Sequence, residues 1–134
     1  MKRLIACVTL WLALPTAFAA PAAALLQKGE VVYGRCQGCH ALGYDRTGPR
    51  HCGLFGRRAG SVAGFAYSAP MAATDIVWNA RTLDRFVENP ARMVPGTSMG
   101  YAGVADRAER AALIAYLKNA NDSAECKALS RAAK

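Results

Sequence analysis

Apolar residues recur at three-, four- and seven-residue intervals in two well-separated stretches of this chain, and strand signals are nearly absent. The first stretch, Ala22 to Cys36, carries Leu25, Leu26, Val32, Tyr33 and Cys36 on that spacing and predicts a helix, with Glu30 in an early turn. Gly29 inside it is tolerated where another backbone must pass close by. The second stretch, about Ala105 to Ala120, puts Leu113, Ile114, Tyr116 and Leu117 on one face. Arg107, Glu109, Arg110 and Lys118 stand elsewhere, and Asp106 and Glu109 complement the amino end. Shorter helices are expected at Pro70 to Ala73 and Arg81 to Glu88, separated by the apolar step Ile76, Val77, Trp78. Asn89-Pro90 stops the second of these, because a residue before proline is pushed out of helical dihedrals. From Ala41 to Pro70 the pattern breaks into Gly, Pro, Ser and Thr. A loop this long is uncommon in a small domain unless it wraps something, and its Leu42, Leu54, Phe55, Val62, Phe65 and Tyr67 need a surface to cover. The tail beyond Asn121 is polar. The class is all-α, three to five helices with long loops.

The amino end changes the picture. Lys2 and Arg3, an apolar run from Leu4 to Phe18, and Ala17-Phe18-Ala19 together read as a secretory signal over residues 1–19, leaving 20–134 as one domain. The run is too short for a spanning helix and contains Pro15, and no other stretch could cross a membrane. Of 17 basic residues, Lys2 and Arg3 leave with the leader, so 15 face 9 acidic ones and the mature chain is +6. The cations are scattered rather than set in a stripe with stacking aromatics, which argues against nucleic acid as a partner.

The candidate chemistry is concentrated in Cys36-Gln37-Gly38-Cys39-His40. Two thiols three residues apart, followed at once by an imidazole, suit covalent haem attachment: a short helical turn presents both sulfurs to the vinyl groups of one porphyrin edge and the imidazole to the iron. A zinc half-site, a dithiol redox pair and a plain disulfide share the spacing. Zinc needs four ligands, yet Cys52, Cys126 and His51 form no second knuckle, and the redox pair wants an α/β pattern that is missing. Export and haem attachment support each other, since this maturation belongs to the outer side of a membrane. A second iron ligand has candidates in His51, Met71, Met93, Met99, the spare cysteines and lysines. Pro95-Gly96-Thr97-Ser98-Met99 favours Met99, because a Pro-Gly turn positions the side chain that follows it.

With these motifs in order, namely CQGCH, TGPRHCGLFGRRAG, GFAYS with IVW, NPARMVPGTSMGYAG and ERAALIAYLK, the chain resembles the class I c-type cytochromes over about Gly29 to Lys118. The resemblance implies the small cytochrome c fold around one haem c, bound through Cys36 and Cys39 with His40 and Met99 on the iron. It implies that Gly29 and Tyr33 let the first helix cross the last, and that the Pro49 carbonyl orients His40. Arg57, Tyr67, Trp78 and Thr97 match positions that hydrogen-bond the haem propionates. With the iron closed on both sides the implied role is one-electron transfer and not enzymatic catalysis. The rivals are a haem peroxidase and a gas-binding or sensor cytochrome, which need a displaceable sixth ligand. The implied partners are redox proteins, among them quinol–cytochrome c reductase, a terminal oxidase, a reaction centre or a periplasmic dehydrogenase, met by a soluble periplasmic monomer. Arg35 and Arg92 are the candidate docking cations. The chain departs from the family at His51, where relatives carry leucine, at Phe86, where many carry tyrosine, and at Ser98, where many carry lysine. His51 is therefore either an interior imidazole or an alternative ligand. The family's topology also brings Cys52 beside the tail, which implies a disulfide between Cys52 and Cys126.

Overall fold

The computed structural model describes residues 19–132, which form six helices joined by long loops. Apart from Ala19, the leader lies outside the described residues. Helix α1 (Ala19–Tyr33) and helix α5 (Arg107–Asp122) form the main packing pair, and α2 (Ala69–Ala73), α3 (Ala80–Glu88) and α4 (Pro90–Met93) lie between them in sequence. Helix α6 (Ala124–Ala132) closes the chain. Among the described residues no strand forms; Arg58 and Val77 make an isolated bridge between two extended segments.

The α1–α5 crossing is as close as backbones allow. A methyl group at Gly29 would overlap the Ala112 carbonyl and crowd the Tyr116 Cβ at 2.6 Å. Tyr33, one turn further along α1, is buried with its ring 5.2 Å from that of Tyr116. Leu113 and Leu117 continue the seam and join Val32, Leu83, Phe86 and Val87 in the core. Leu25, expected on the inner face of α1, is 42% exposed, because the helix extends beyond the crossing.

Helix boundaries follow side-chain caps more closely than apolar spacing. Asn79 accepts from the amides of Arg81 and Thr82 while Thr82 Oγ1 accepts from the Asn79 amide, a reciprocal box that starts α3. Asp106 Oδ1 accepts from Glu109 N–H at 2.7 Å and sets the start of α5 two residues later than the periodicity suggests. Asn89-Pro90 ends α3 as expected but also begins α4, since Asn89 caps it and proline is compatible with a first helical position.

Two expectations are corrected. The tail after Asn121 is helical, which brings the described helices to six where three to five were expected: Glu125 lies in its first turn, Arg131 in its last, and Cys126 is its buried residue. A polar sequence can hold such a helix when one anchored side chain docks it. Arg110, placed by its charge on the solvent side of α5, is only 5% exposed. Asp84 carboxylate lies 2.8 Å from its Nε, Glu88 3.7 Å from Nη2, and the Val104 and Ala105 carbonyls accept from Nη1. A cation can be buried when its hydrogen bonds are fully met, and this one ties α5 to α3.

Gly29→Val is expected to lower unfolding stability by about 1–3 kcal/mol through overpacking of the crossing. Gly38→Ala, which meets nothing within 4 Å, serves as the neutral control. Urea midpoints of the two variants make the comparison.

Candidate functional site

The chain tightens after Tyr33. Arg35 and Cys36 amides donate to the carbonyls of Val32 and Tyr33 at 3.1 and 2.8 Å, and the Cys36 carbonyl then accepts from both Cys39 N–H (3.0 Å) and His40 N–H (2.9 Å). The pentapeptide is thus one helical turn, and it sets Cys36, Cys39 and His40 on the wall of one partly open cavity of about 360 Å³. Pro49, Arg57, Tyr67, Trp78, Thr97 and Met99 line the same cavity, so every residue singled out for cofactor binding converges there. The remaining wall is largely apolar, from Leu54, Phe65, Met71, Leu83, Phe86, Leu113 and Leu117.

His40 is held from several directions. Its Nδ1 lies 2.8 Å from the Pro49 carbonyl, which can only accept, so Nδ1 carries the proton and Nε2 keeps its lone pair. A side chain on Gly48 would run into the Cε1 end of the ring. Burial holds the imidazole below its ordinary pKa, opposed in part by the Pro49 hydrogen bond. His51 stacks on the same ring, with centroids 4.4 Å apart and planes at 21°. With metal–nitrogen bonds of about 2 Å, imidazoles on opposite sides of one ion would have centroids much further apart, so His51 is not a ligand across from His40. Its Nδ1 instead lies 3.2 Å from the Tyr33 hydroxyl. Burial pushes the His51 pKa well below the usual value, with His40 and then Arg57 adding to the effect.

The methionines separate by place. Met99 follows a turn closed by Thr97 N–H on the Val94 carbonyl at 3.0 Å, and Thr97 Oγ1 accepts from the Met99 amide at 3.3 Å. Met93 borders a different, polar cleft with Arg85, Glu88 and Arg92. Met71 is a buried core residue of α2 that also reaches the cavity.

One part of the cavity wall is polar and short of acceptors. The guanidinium of Arg57 donates to the carbonyls of Cys52 (3.1 Å) and Arg50 (2.9 Å) but has no carboxylate partner among the described residues, and burial lowers its pKa. Backbone bonds from Gly56 to Trp78 and from Trp78 to Arg57, at 2.8 and 2.9 Å, lock that segment together. Ser68, next to Tyr67, has a buried hydroxyl with no partner, although its position before α2 is one where serine ordinarily caps. Sequence reading missed Ser68 for that reason: the residue type suggests a cap. A half-buried cation without a carboxylate partner on the wall of an apolar chamber suits a large apolar group bearing carboxylates.

The rim is differently charged from what the sequence suggested. Arg35 makes a two-pronged pair with Glu109 at 2.7 and 2.8 Å, and Arg92 pairs with Glu88. Both cations are thus paired at the surface, and Arg92 borders the separate cleft with Met93. Cys36 and Cys39 are unpaired thiols, whereas Cys52 and Cys126 face each other with Cα atoms 4.8 Å apart and sulfurs in bonding contact. That pairing removes Cys52 and Cys126 from any zinc site.

Residues 26–121 match the family model described as cytochrome c. The chain belongs to the cytochrome c family. It is 39% identical over 89 residues to cytochrome c2 iso-2 of Magnetospirillum fulvum, covering 65% of this chain and 93% of that protein. It is 40% identical over 106 residues to cytochrome c2 of Blastochloris viridis, covering 76% and 84%. Cytochrome cH from Methylobacterium extorquens superposes with a TM-score of 0.68 at 30% identity, over 70% of this chain and 97% of that one. The fold expected from the motifs is therefore the one found, and the protein is a c-type cytochrome acting in electron transfer, with haem bound through cysteines. No helix among the described residues is long and apolar enough to cross a membrane.

Because burial keeps the His51 imidazole neutral in the folded cytochrome, its folded pKa lies below the unfolded value of about 6.5. The unfolded chain then takes up the proton first, so stability present above that value is lost as pH falls below it. Urea midpoints should drop between pH 7 and pH 5, and the drop should be smaller in His51→Leu. Equal drops in both proteins would contradict the buried neutral imidazole.

Proposed function

We propose that the chain is an exported, monohaem electron carrier of the periplasm, with Cys36 and Cys39 as the thioether attachments and His40 and Met99 as the axial ligands. The observation that carries this reading is the convergence of both thiols, the oriented His40 and Met99 on one apolar chamber. When bound, the haem supplies a one-electron iron couple. Everything else is the work of the protein. His40 Nε2, freed of its proton by the Pro49 bond, is the nitrogen available to the iron. The Met99 thioether favours the ferrous state, as do the apolar walls, which penalise the added charge of oxidation, so a positive potential is expected. Phe86, packed 5.0 Å from Trp78, brings no hydroxyl that could bond the Met99 sulfur. Arg57, Tyr67, Trp78 and Thr97 supply donors for the haem carboxylates.

With both axial positions filled, the protein moves electrons between partners such as a quinol–cytochrome c reductase and a terminal oxidase, a reaction centre or a periplasmic dehydrogenase, and activates no small molecule. The leader over residues 1–19 is removed on export, and the mature monomer meets these partners in solution. The paired state of Arg35 and Arg92 supports docking with little steering from those two side chains. Cys52 and Cys126 form a disulfide, for which their 4.8 Å Cα separation is suitable. Closing a loop of about 75 residues contributes roughly 4 kcal/mol in the chain-entropy model.

The mature mass should equal the chain from Ala20 plus one haem, resistant to extraction by acidic solvent, and the reduced protein should not bind carbon monoxide at neutral pH. Apoprotein mass defeats the reading, and rapid gas binding replaces it with the displaceable-ligand alternative. Met99→Ala should keep the haem attached, open the iron to carbon monoxide and lower the potential by more than about 60 mV, a tenfold change in the oxidised-to-reduced ratio. Met71→Ala should do neither; the opposite result would exchange their roles.

Thiol titration of the denatured, unreduced holoprotein should find no free thiol. Two would refute the bridge, and a disulfide-linked dimer would make it intermolecular.

A further inference from the structure

An aromatic series runs from the helix crossing to the axial imidazole. Tyr116 of α5 packs on Tyr33 of α1 at 5.2 Å, Tyr33 lies 5.6 Å from His51, and His51 stacks on His40 at 4.4 Å. The contacts differ in kind as well as distance. Tyr33 and His51 are tilted by 59° and joined by a 3.2 Å hydrogen bond, whereas His51 and His40 are nearly parallel. We propose that His51, anchored by the Tyr33 hydroxyl, is a positioning residue that sets the rotational orientation of the His40 ring about its bond to the iron.

The physical reason is that the other restraints on His40 leave that rotation partly free. The Pro49 carbonyl fixes Nδ1 at 2.8 Å, but a single hydrogen bond at a carbonyl accepts over a broad range of directions. Gly48 approaches the Cε1 atom from over the ring plane and bounds the ring at that one corner, with no side chain to cover the rest. His51 is the residue whose ring lies nearly parallel to His40, so rotation of His40 must push a second ring that is itself tethered.

The tether has a definite sense. Tyr33 is 1% exposed, and among the described residues its hydroxyl has no other hydrogen-bond partner, so leaving its O–H unused would cost the desolvation of a donor. The Tyr33 O–H therefore donates to His51 Nδ1, and the His51 proton sits on Nε2. Tyr33 is fixed in turn by the α1–α5 crossing. The His40 ring plane is thereby tied to the packing of the two principal helices through Tyr33 and His51.

This inference rests on His40 being the axial ligand, and its test separates the two claims. The ferric holoprotein is compared by paramagnetic proton NMR with His51→Leu, Tyr33→Phe and His51→Phe, since the order and spread of the haem-methyl resonances report the direction of the axial imidazole plane. Covalent haem by mass and an unaltered low-spin absorption spectrum in each variant keep the ligand assignment intact. His51→Leu is expected to change the order or spread of the methyl resonances, and Tyr33→Phe to change them in the same sense but less. His51→Phe, which keeps a flat ring, should restore most of the wild-type pattern. A wild-type pattern in both His51→Leu and Tyr33→Phe overturns the inference while leaving the carrier function standing. Should His51→Leu yield no holoprotein, Tyr33→Phe decides alone, and an unchanged pattern there overturns it. A protein that carries no covalent haem would instead defeat the functional reading.

Discussion

The contact on which the rest of the structure depends is the crossing of α1 over α5, where the backbone at Gly29 lies against the Ala112 carbonyl. Close approach there brings Tyr33 and Leu113 into the same buried layer and fixes the direction in which the chain leaves α1. The turn that follows carries both attachment thiols and His40, so the aim of the pentapeptide is set by a helix pair that contains none of those residues. From the other end of the chain, Asn121 near the end of α5 accepts from the Leu54 amide at 2.8 Å and donates to the Leu117 carbonyl. The long loop is thus fastened to the same pair.

Two partly or fully buried arginines divide the work between structure and cofactor. Arg110 is surrounded by Asp84, Glu88 and two carbonyls, and its charge is used up in holding α3 to α5. Arg57 has backbone carbonyls only, and they answer its hydrogen bonds without answering its charge. A cation left in that condition beside an apolar chamber favours an anionic guest. The contrast explains why the chamber has a polar portion at all: the apolar walls exclude water, and Arg57 provides for carboxylates that would otherwise be stranded.

Two adjacent residues of the long loop, His51 and Cys52, are connected by the structure to different parts of the molecule. His51 stands against His40, and Cys52 next to it pairs with Cys126 of α6. Arg57 holds the carbonyl of Cys52, so the cofactor wall, the stacked imidazole and the terminal helix share one short segment. A tail with little apolar surface of its own is kept in place by Cys126, and it covers the loop at Gly43 and Gly53 through Leu129 and Ser130.

By itself the sequence determined what depends on local spacing and residue chemistry. The helical periods of α1 and α5, the glycine needed for a close crossing, the pentapeptide turn, and the Pro-Gly turn before Met99 are all properties of residues within a few positions of each other. Even the pairing of Cys52 with Cys126 came from the resemblance to a known family, not from spacing. Tertiary structure decided whatever required knowing a neighbour from far along the chain. Arg110 looks solvated until α3 supplies Asp84 and Glu88, and Arg35 looks free until Glu109 arrives from α5. His51 could be read as core residue or ligand until its ring was found flat against His40. The tail became α6 because a buried Cys126 docked it, which no apolar periodicity over these nine residues could reveal. In each case the reason is the same: charge, protonation and burial are set by the side chains that surround a group, and the sequence names those only after the chain has folded.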